Sequence, residues 1–227
     1  MNERNKQIVA EMIAMVESNC RWDAYTGRYV NSPLEHTITL GAYQFGGGSN
    51  EGRDLLRLIR KEYPKTWNEL ASGLGLEDAL ELDWYTRRWE PTKAQKAAII
   101  KLISSTEGIL CQQKYFCMME LPEYLKNAED FGITSQKCQA LWVEIEHLGG
   151  TKAARRIFGR IREQTVTEVD RALKMDQADH SSENQAGDWL YYKDRHTYCL
   201  KVAREKITED TDAAPELEPG LYLQIGG

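Results

Sequence analysis

No stretch of the 227-residue chain approaches the ~20 consecutive apolar residues that a membrane-spanning helix requires. A signal peptide is missing from the reading as well. MNERNKQIVAEMIAMVES puts polar residues straight after Met1 and interrupts its apolar pattern at Glu11. The expectation is therefore a protein made in the cytoplasm. Five cysteines (Cys20, Cys111, Cys117, Cys138, Cys199) make an odd set with no CxxC pair, which argues for thiols over a disulfide framework or a metal knot. The four histidines (His36, His147, His180, His196) are scattered, so no metal cluster is expected, and nothing in the chain calls for a cofactor. Basic charge is not in excess either: 29 Lys and Arg face 35 Asp and Glu, for a net charge of −6. That balance excludes nucleic-acid binding driven by a cationic surface.

What is present is an ordinary globular composition, 41% apolar and 28% charged. The length suits one domain with at most a small appendage. Residues 208–227 carry Glu209, Asp210, Asp212, Glu216 and Glu218 with no Lys or Arg, so most of the net charge sits in that segment. The expected organisation is a domain over 1–207 and a flexible acidic tail over 208–227, the tail being a surface for a protein partner. Its Leu221 to Ile225 could add a short strand.

Helical periodicity dominates. Ile8, Val9, Met12, Ile13 and Val16 recur at three- and four-residue spacings and predict a helix over 3–18. From Arg21 to Phe45 the pattern changes to alternation around Gly27 and Asn31-Ser32-Pro33, the signature of short strands or an extended flap. Further helices are expected over 51–62, ended by Pro64, and in short pieces over 66–71 and 76–82. Thr92 caps one running through Leu102, and another covers roughly 105–119 before Pro122. Helices over 134–148, 152–161, 165–175 and 188–207 complete the pattern, with Gly149-Gly150 as a break and 176–187 as a polar loop. The fold class is mainly α with one small β excursion.

The stretch from Glu17 to Gly48 organises the rest. A carboxylate stands where an apolar helix ends, a polar, turn-rich excursion follows, and Thr39-Leu40-Gly41-Ala42-Tyr43-Gln44-Phe45 closes on three glycines. A carboxyl at a cleft wall, partly desolvated by apolar neighbours, holds its proton to higher pH. Such a group suits general acid chemistry.

Glu17-Ser18 followed by Gly41-Ala42-Tyr43-Gln44-Phe45 resembles the lysozyme-like superfamily. In those proteins a Glu-Ser pair ends the first long helix, and a Gly-x-x-Gln run lines the floor of a glycan cleft. Downstream, Glu146-His147-Leu148-Gly149-Gly150 is similar to the Tyr-Asn-Ala-Gly-Pro-Gly segment of lytic transglycosylases, with His147 where Asn is usual and Gly150 where Pro is usual. The resemblance implies a lysozyme-like fold of two lobes around a glycan cleft, with a small β flap. It also implies cleavage of the β-1,4 backbone of bacterial peptidoglycan, in a phage or prophage endolysin or a particle-associated muramidase acting on the wall after release. Glu17 would be the general acid, Glu35 or alternatively Asp23 the second carboxylate, with Glu35 preferred, and Thr39 a holder of the attacking water. Asp23, Tyr43, Gln44 and His147 would contact the glycan. Thr39 and Gln44 have an alternative use in satisfying turn backbone groups, and Tyr43 in packing. Glu144 and His147 would line an opposite wall or else form an exposed helix face. A lytic transglycosylase, a chitosanase and an inactive lysozyme-fold binding or phage structural protein remain alternatives.

Overall fold

The computed structural model describes residues 1–27, 37–46, 49–180 and 186–210. They form two compact units, one of Met1–Val16 with 117–210 and the other of Glu17–Phe116. Among the described residues the protein is mainly α-helical, with one small two-stranded sheet.

The first unit is built on helix α8, Gln136–Phe158, which packs against α7 (Leu121–Asp130), α9 (Val166–His180) and α10 (Ala186–Glu205). Its centre is Trp142, fully buried between the rings of Phe131 and Phe158 at 5.2 and 5.1 Å. Helix α1, Glu3–Ser18, buries Val9, Met12 and Ile13 of the face its periodicity predicts, while Ile8 and Val16 of that face are half-buried. Burying each such side chain stabilises the fold by about 1.5–3 kcal/mol. Helix α8 bends at Gly150, whose φ of 75° and ψ of 170° lie outside the helical range. That is the break expected at Gly149-Gly150, here with the helix resuming at once.

The second unit joins a hairpin to a helical layer. Strands β1 (Tyr25–Thr26) and β2 (Thr39–Leu40) pair antiparallel, Tyr25 opposite Leu40 and Thr26 opposite Thr39. Helix α2 (Glu51–Glu62) packs on α3 (Pro64–Ala71), α4 (Leu76–Glu81) and α6 (Thr106–Tyr115), while α5 (Lys93–Ser104) packs on α3 and α6. Thr92 caps α5 as expected, in a reciprocal capping box with Gln95. Close contact of α5 and α6 depends on Gly108, where a Cβ would meet the Leu102 carbonyl oxygen at 1.9 Å.

Several boundaries differ from the sequence reading, each for a local reason. Pro64 does not merely end α2; it occupies the first turn of α3, where its missing N–H costs nothing. Pro122 likewise opens α7 after a π-helical turn, Phe116–Glu120, and that helix was not anticipated. Helix α9 runs on to His180, through residues expected to be a loop. Its polar end is held by Arg156, which grips Asp176 at 2.8 and 2.9 Å, and by Arg160, 2.6 Å from Asp179. Of the expected tail, 208–210 are described and are held by hydrogen bonds, while 211–227, with the strand expected at Leu221 to Ile225, lie outside the described residues. Glu209 accepts hydrogen bonds from the Gln136 and Lys137 amides and the Ser135 hydroxyl at 2.7–3.2 Å, so it caps the start of α8. Thr208 and Asp210 carbonyls accept from the side chains of Asn5 and Asn2.

Candidate functional site

Glu17 and Ser18 form the last turn of α1, and both belong to the second unit. The chain leaves the helix through two consecutive left-handed residues, Asn19 at φ 56° and Cys20 at φ 55°. Asn tolerates that conformation better than most side chains. The Ser18 hydroxyl ties the exit down: it accepts from the Arg21 amide at 3.0 Å and donates to the Ala42 carbonyl at 3.0 Å. The two halves of the sequence pattern, 24 residues apart, are therefore in direct contact.

Ala42 sits in a tight turn of Gly41 to Gln44 between Leu40 and Phe45, which exchange both backbone hydrogen bonds at 3.1 and 2.9 Å. The turn requires left-handed backbone at Gly41, φ 76°, and at Gln44, φ 56°. Gly41 is needed for space as well, because a Cβ there would lie 2.1 Å from Oε1 of Gln112. Gln112, wholly buried on α6, is the clamp beneath the turn. Its Oε1 accepts from the Ala42 amide at 2.8 Å, and its Nε2 donates to the carbonyls of Ile103 at 2.8 Å and Trp22 at 3.1 Å. Sequence reasoning passed over Gln112. A glutamine on the buried face of an apolar helix was the available signal, since such a side chain needs partners.

The other predicted residues separate. Thr39 is buried in β2. Tyr43 is 2% exposed and stacks on Phe116 with ring centroids 4.4 Å apart, with Trp22 and Phe45 at its edges, so its ring belongs to the core of the second unit. That is the packing alternative, not a sugar platform. Gln44 is half-buried, with Nε2 at 3.4 Å from the Gly41 carbonyl, the turn-satisfying role. Asp23 is exposed and paired with Arg21 at 3.6 Å. Glu35 lies outside the described residues.

His147 belongs to the first unit. Its Nδ1 lies 3.3 Å from the Tyr124 hydroxyl and 3.7 Å from Oε2 of Glu120, and its side chain is 10% exposed. The neighbouring carboxylates on α8 correct the expectation of an exposed face or an open wall. Glu144 is completely buried, bound by Nε of Arg195 at 2.7 Å and Nδ1 of His196 at 3.1 Å. Burial alone would raise its pKa. The charge and hydrogen bond of His196, then those of Arg195, outweigh burial and hold the carboxyl below its ordinary value. Glu146 is 5% exposed and accepts from Trp142 Nε1, Asn127 Nδ2 and Thr151 Oγ1, so it braces both sides of the bend at Gly150. The second motif thus contains a structural hub.

The five cysteines form no disulfide. Burial pushes the Cys111 thiol up to about 12 and Cys117 up to about 11, which makes poor nucleophiles of both. Among the described residues no group of three or more His, Cys, Asp and Glu side chains is placed to hold a metal ion, and no helix is long and apolar enough to cross a membrane. Comparison of the chain with protein-family models, with curated proteins and with solved structures finds no match.

Proposed function

We propose that this protein cleaves the β-1,4 glycan backbone of bacterial peptidoglycan, as a lysozyme-like muramidase with Glu17 as the general acid. The observation that carries the reading is the Ser18–Ala42 hydrogen bond, which brings the end of α1 onto the Gly41–Phe45 turn. Three further devices hold that corner rigid: the Gln112 clamp, the glycine at 41 and the aromatic stack under Tyr43. Rigid support of this kind is what a group needs in order to meet a substrate oxygen in one geometry.

In this reading Glu17 donates its proton to the glycosidic oxygen as the bond to the anomeric carbon breaks. A second carboxylate then activates water in an inverting enzyme, or attacks the anomeric carbon in a retaining one. Glu35 keeps that assignment as part of the proposal. The lysozyme-like fold, the endolysin or particle setting and a protein partner for the acidic tail belong to the same proposal. Incubating purified peptidoglycan with the wild type and with Glu17→Gln tests it. The wild type should release fragments with ordinary reducing ends, and the variant should be slower by about a hundredfold or more. No release by the wild type, or full activity in a folded Glu17→Gln protein, overturns the reading.

The exposure of Asp23 and its pairing with Arg21 favour a second reading, a lytic transglycosylase, which needs one essential carboxyl. There Glu17 would take back a proton from the sugar's own hydroxyl, which closes an anhydro ring. Fragments lighter by one water in the mass spectrum distinguish it from hydrolysis.

A further inference from the structure

A cavity of about 430 Å³ lies in the first unit, far along the chain from Glu17, and is lined from α9 and α10. Leu173 and Leu200, each 5% exposed, give it an apolar floor. Above that floor stand Lys174 and Arg204. Both turn toward one oxygen of Asp170, Nζ of Lys174 at 3.0 Å and Nη2 of Arg204 at 3.6 Å. Two cations therefore share a single carboxylate. The Lys174 and Arg204 side chains are 70% and 47% exposed, so these pairs are weak and easily exchanged. Thr197 and Gln177 add neutral donors to the wall. His196 forms part of the wall too, and its ring is held from behind by buried Glu144. Glu144 in turn is matched by Arg195, so the structure behind the wall adds no uncompensated negative charge.

We propose that this cavity binds a small oxyanion with a short apolar body, its phosphate or carboxylate head against Lys174 and Arg204 and its body over Leu173 and Leu200. Among the described lining residues two permanent cations, Lys174 and Arg204, face one acid, Asp170, and that balance gives the sign of the ligand. The leucine floor gives the shape, because a fully hydrated inorganic anion would leave it unused. The site is independent of glycan cleavage, and none of its side chains belongs to the Glu17 corner.

Methyl NMR on the full chain tests the proposal, with Leu173 and Leu200 as reporters. Inorganic phosphate, butyl phosphate and pentanoate serve as probes. Butyl phosphate or pentanoate should shift both reporters saturably, and butyl phosphate should half-saturate at roughly one third or less of the concentration needed for phosphate, from the added apolar burial. Preference for one of the two organic probes identifies the head group. Arg204→Gln and Lys174→Gln should each weaken binding about fivefold or more, through loss of a charge-assisted contact. Asp170→Asn should tighten it about twofold or more, because the competing carboxylate is gone. A merely structural role for Asp170 would weaken binding instead. Shifts that never saturate, saturable shifts unchanged in both cation variants, or weaker binding in Asp170→Asn would each overturn the assignment.

Discussion

Two acidic regions, one at the end of α1 and one in the middle of α8, look alike in sequence and differ in structure. On α8, Glu144 and Glu146 are buried and fully engaged, one by Arg195 and His196, the other by Trp142, Asn127 and Thr151. At the end of α1, Glu17 is half-buried beside a turn whose own polar groups are satisfied by Gln112 and Ser18. The lesson concerns cost. A carboxylate taken wholly out of water survives only with its lone pairs occupied, which commits it to structure. A half-buried carboxyl on a braced corner keeps contact with solvent, which is what the proposed general-acid role of Glu17 asks of it.

The largest effect expected from breaking this contrast is at Glu144. Glu144→Gln leaves Arg195 buried without its counter-charge, so a loss of about 3–5 kcal/mol is expected. For a chain of this size that is a fall in Tm of roughly 6 °C or more, read by circular dichroism on heating. The same carboxylate sets an acid limit. Its folded pKa lies below the ordinary 4.5, so its contribution is complete above that value and is lost as pH falls through the lower folded value. Wild-type stability should decline below about pH 4.5, and the Glu144→Gln curve should decline less over that acid range. Equal slopes for the two proteins would deny Glu144 this role.

The brace at the Glu17 corner comes next. Gln112→Ala strands the Ala42 amide and two carbonyls, and about 1–3 kcal/mol should be lost. Gly41→Ala should cost more than Gly73→Ala, although both glycines are left-handed, at φ 76° and 74°. A Cβ at Gly73 meets nothing within 4 Å, so only the backbone term of about 1–2 kcal/mol applies there. Comparing the two denaturation midpoints measures what displacing Gln112 adds. The smallest effect is at Glu209, where replacement by Ala leaves the Ser135 cap of α8 in place but removes the acceptor of the Gln136 and Lys137 amides, and should cost about 1 kcal/mol, or roughly 2–4 °C in Tm.

Local chemistry made much of this legible beforehand. The buried stripe of α1, the Thr92 capping box and the break at Gly150 each depend on residues within a turn or two of one another. The missed features depend on partners remote in the chain. Glu144 is buried because Arg195, 51 residues away, reaches it, and no periodicity on α8 reveals that. The polar end of α9 is braced by Arg156 and Arg160 from about 20 residues back, partners that its own sequence does not reveal. Pro122 was misread because proline is compatible with both the end of one helix and the first turn of the next. At the candidate site the turn glycine and the Glu-Ser pair were legible, whereas the clamp of Gln112 was not, and Tyr43 proved to be core.

The most direct test of the contrast sets Glu17→Gln beside the wild type, with melting temperature and peptidoglycan cleavage measured on the same samples. The account predicts a folded variant with a Tm within a few degrees of wild type, because the amide is isosteric with the carboxyl, and glycan cleavage reduced by about a hundredfold or more, because the amide has no acidic proton to give. A Glu17→Gln protein that melts several degrees lower, or one that cleaves peptidoglycan as fast as the wild type, would contradict it.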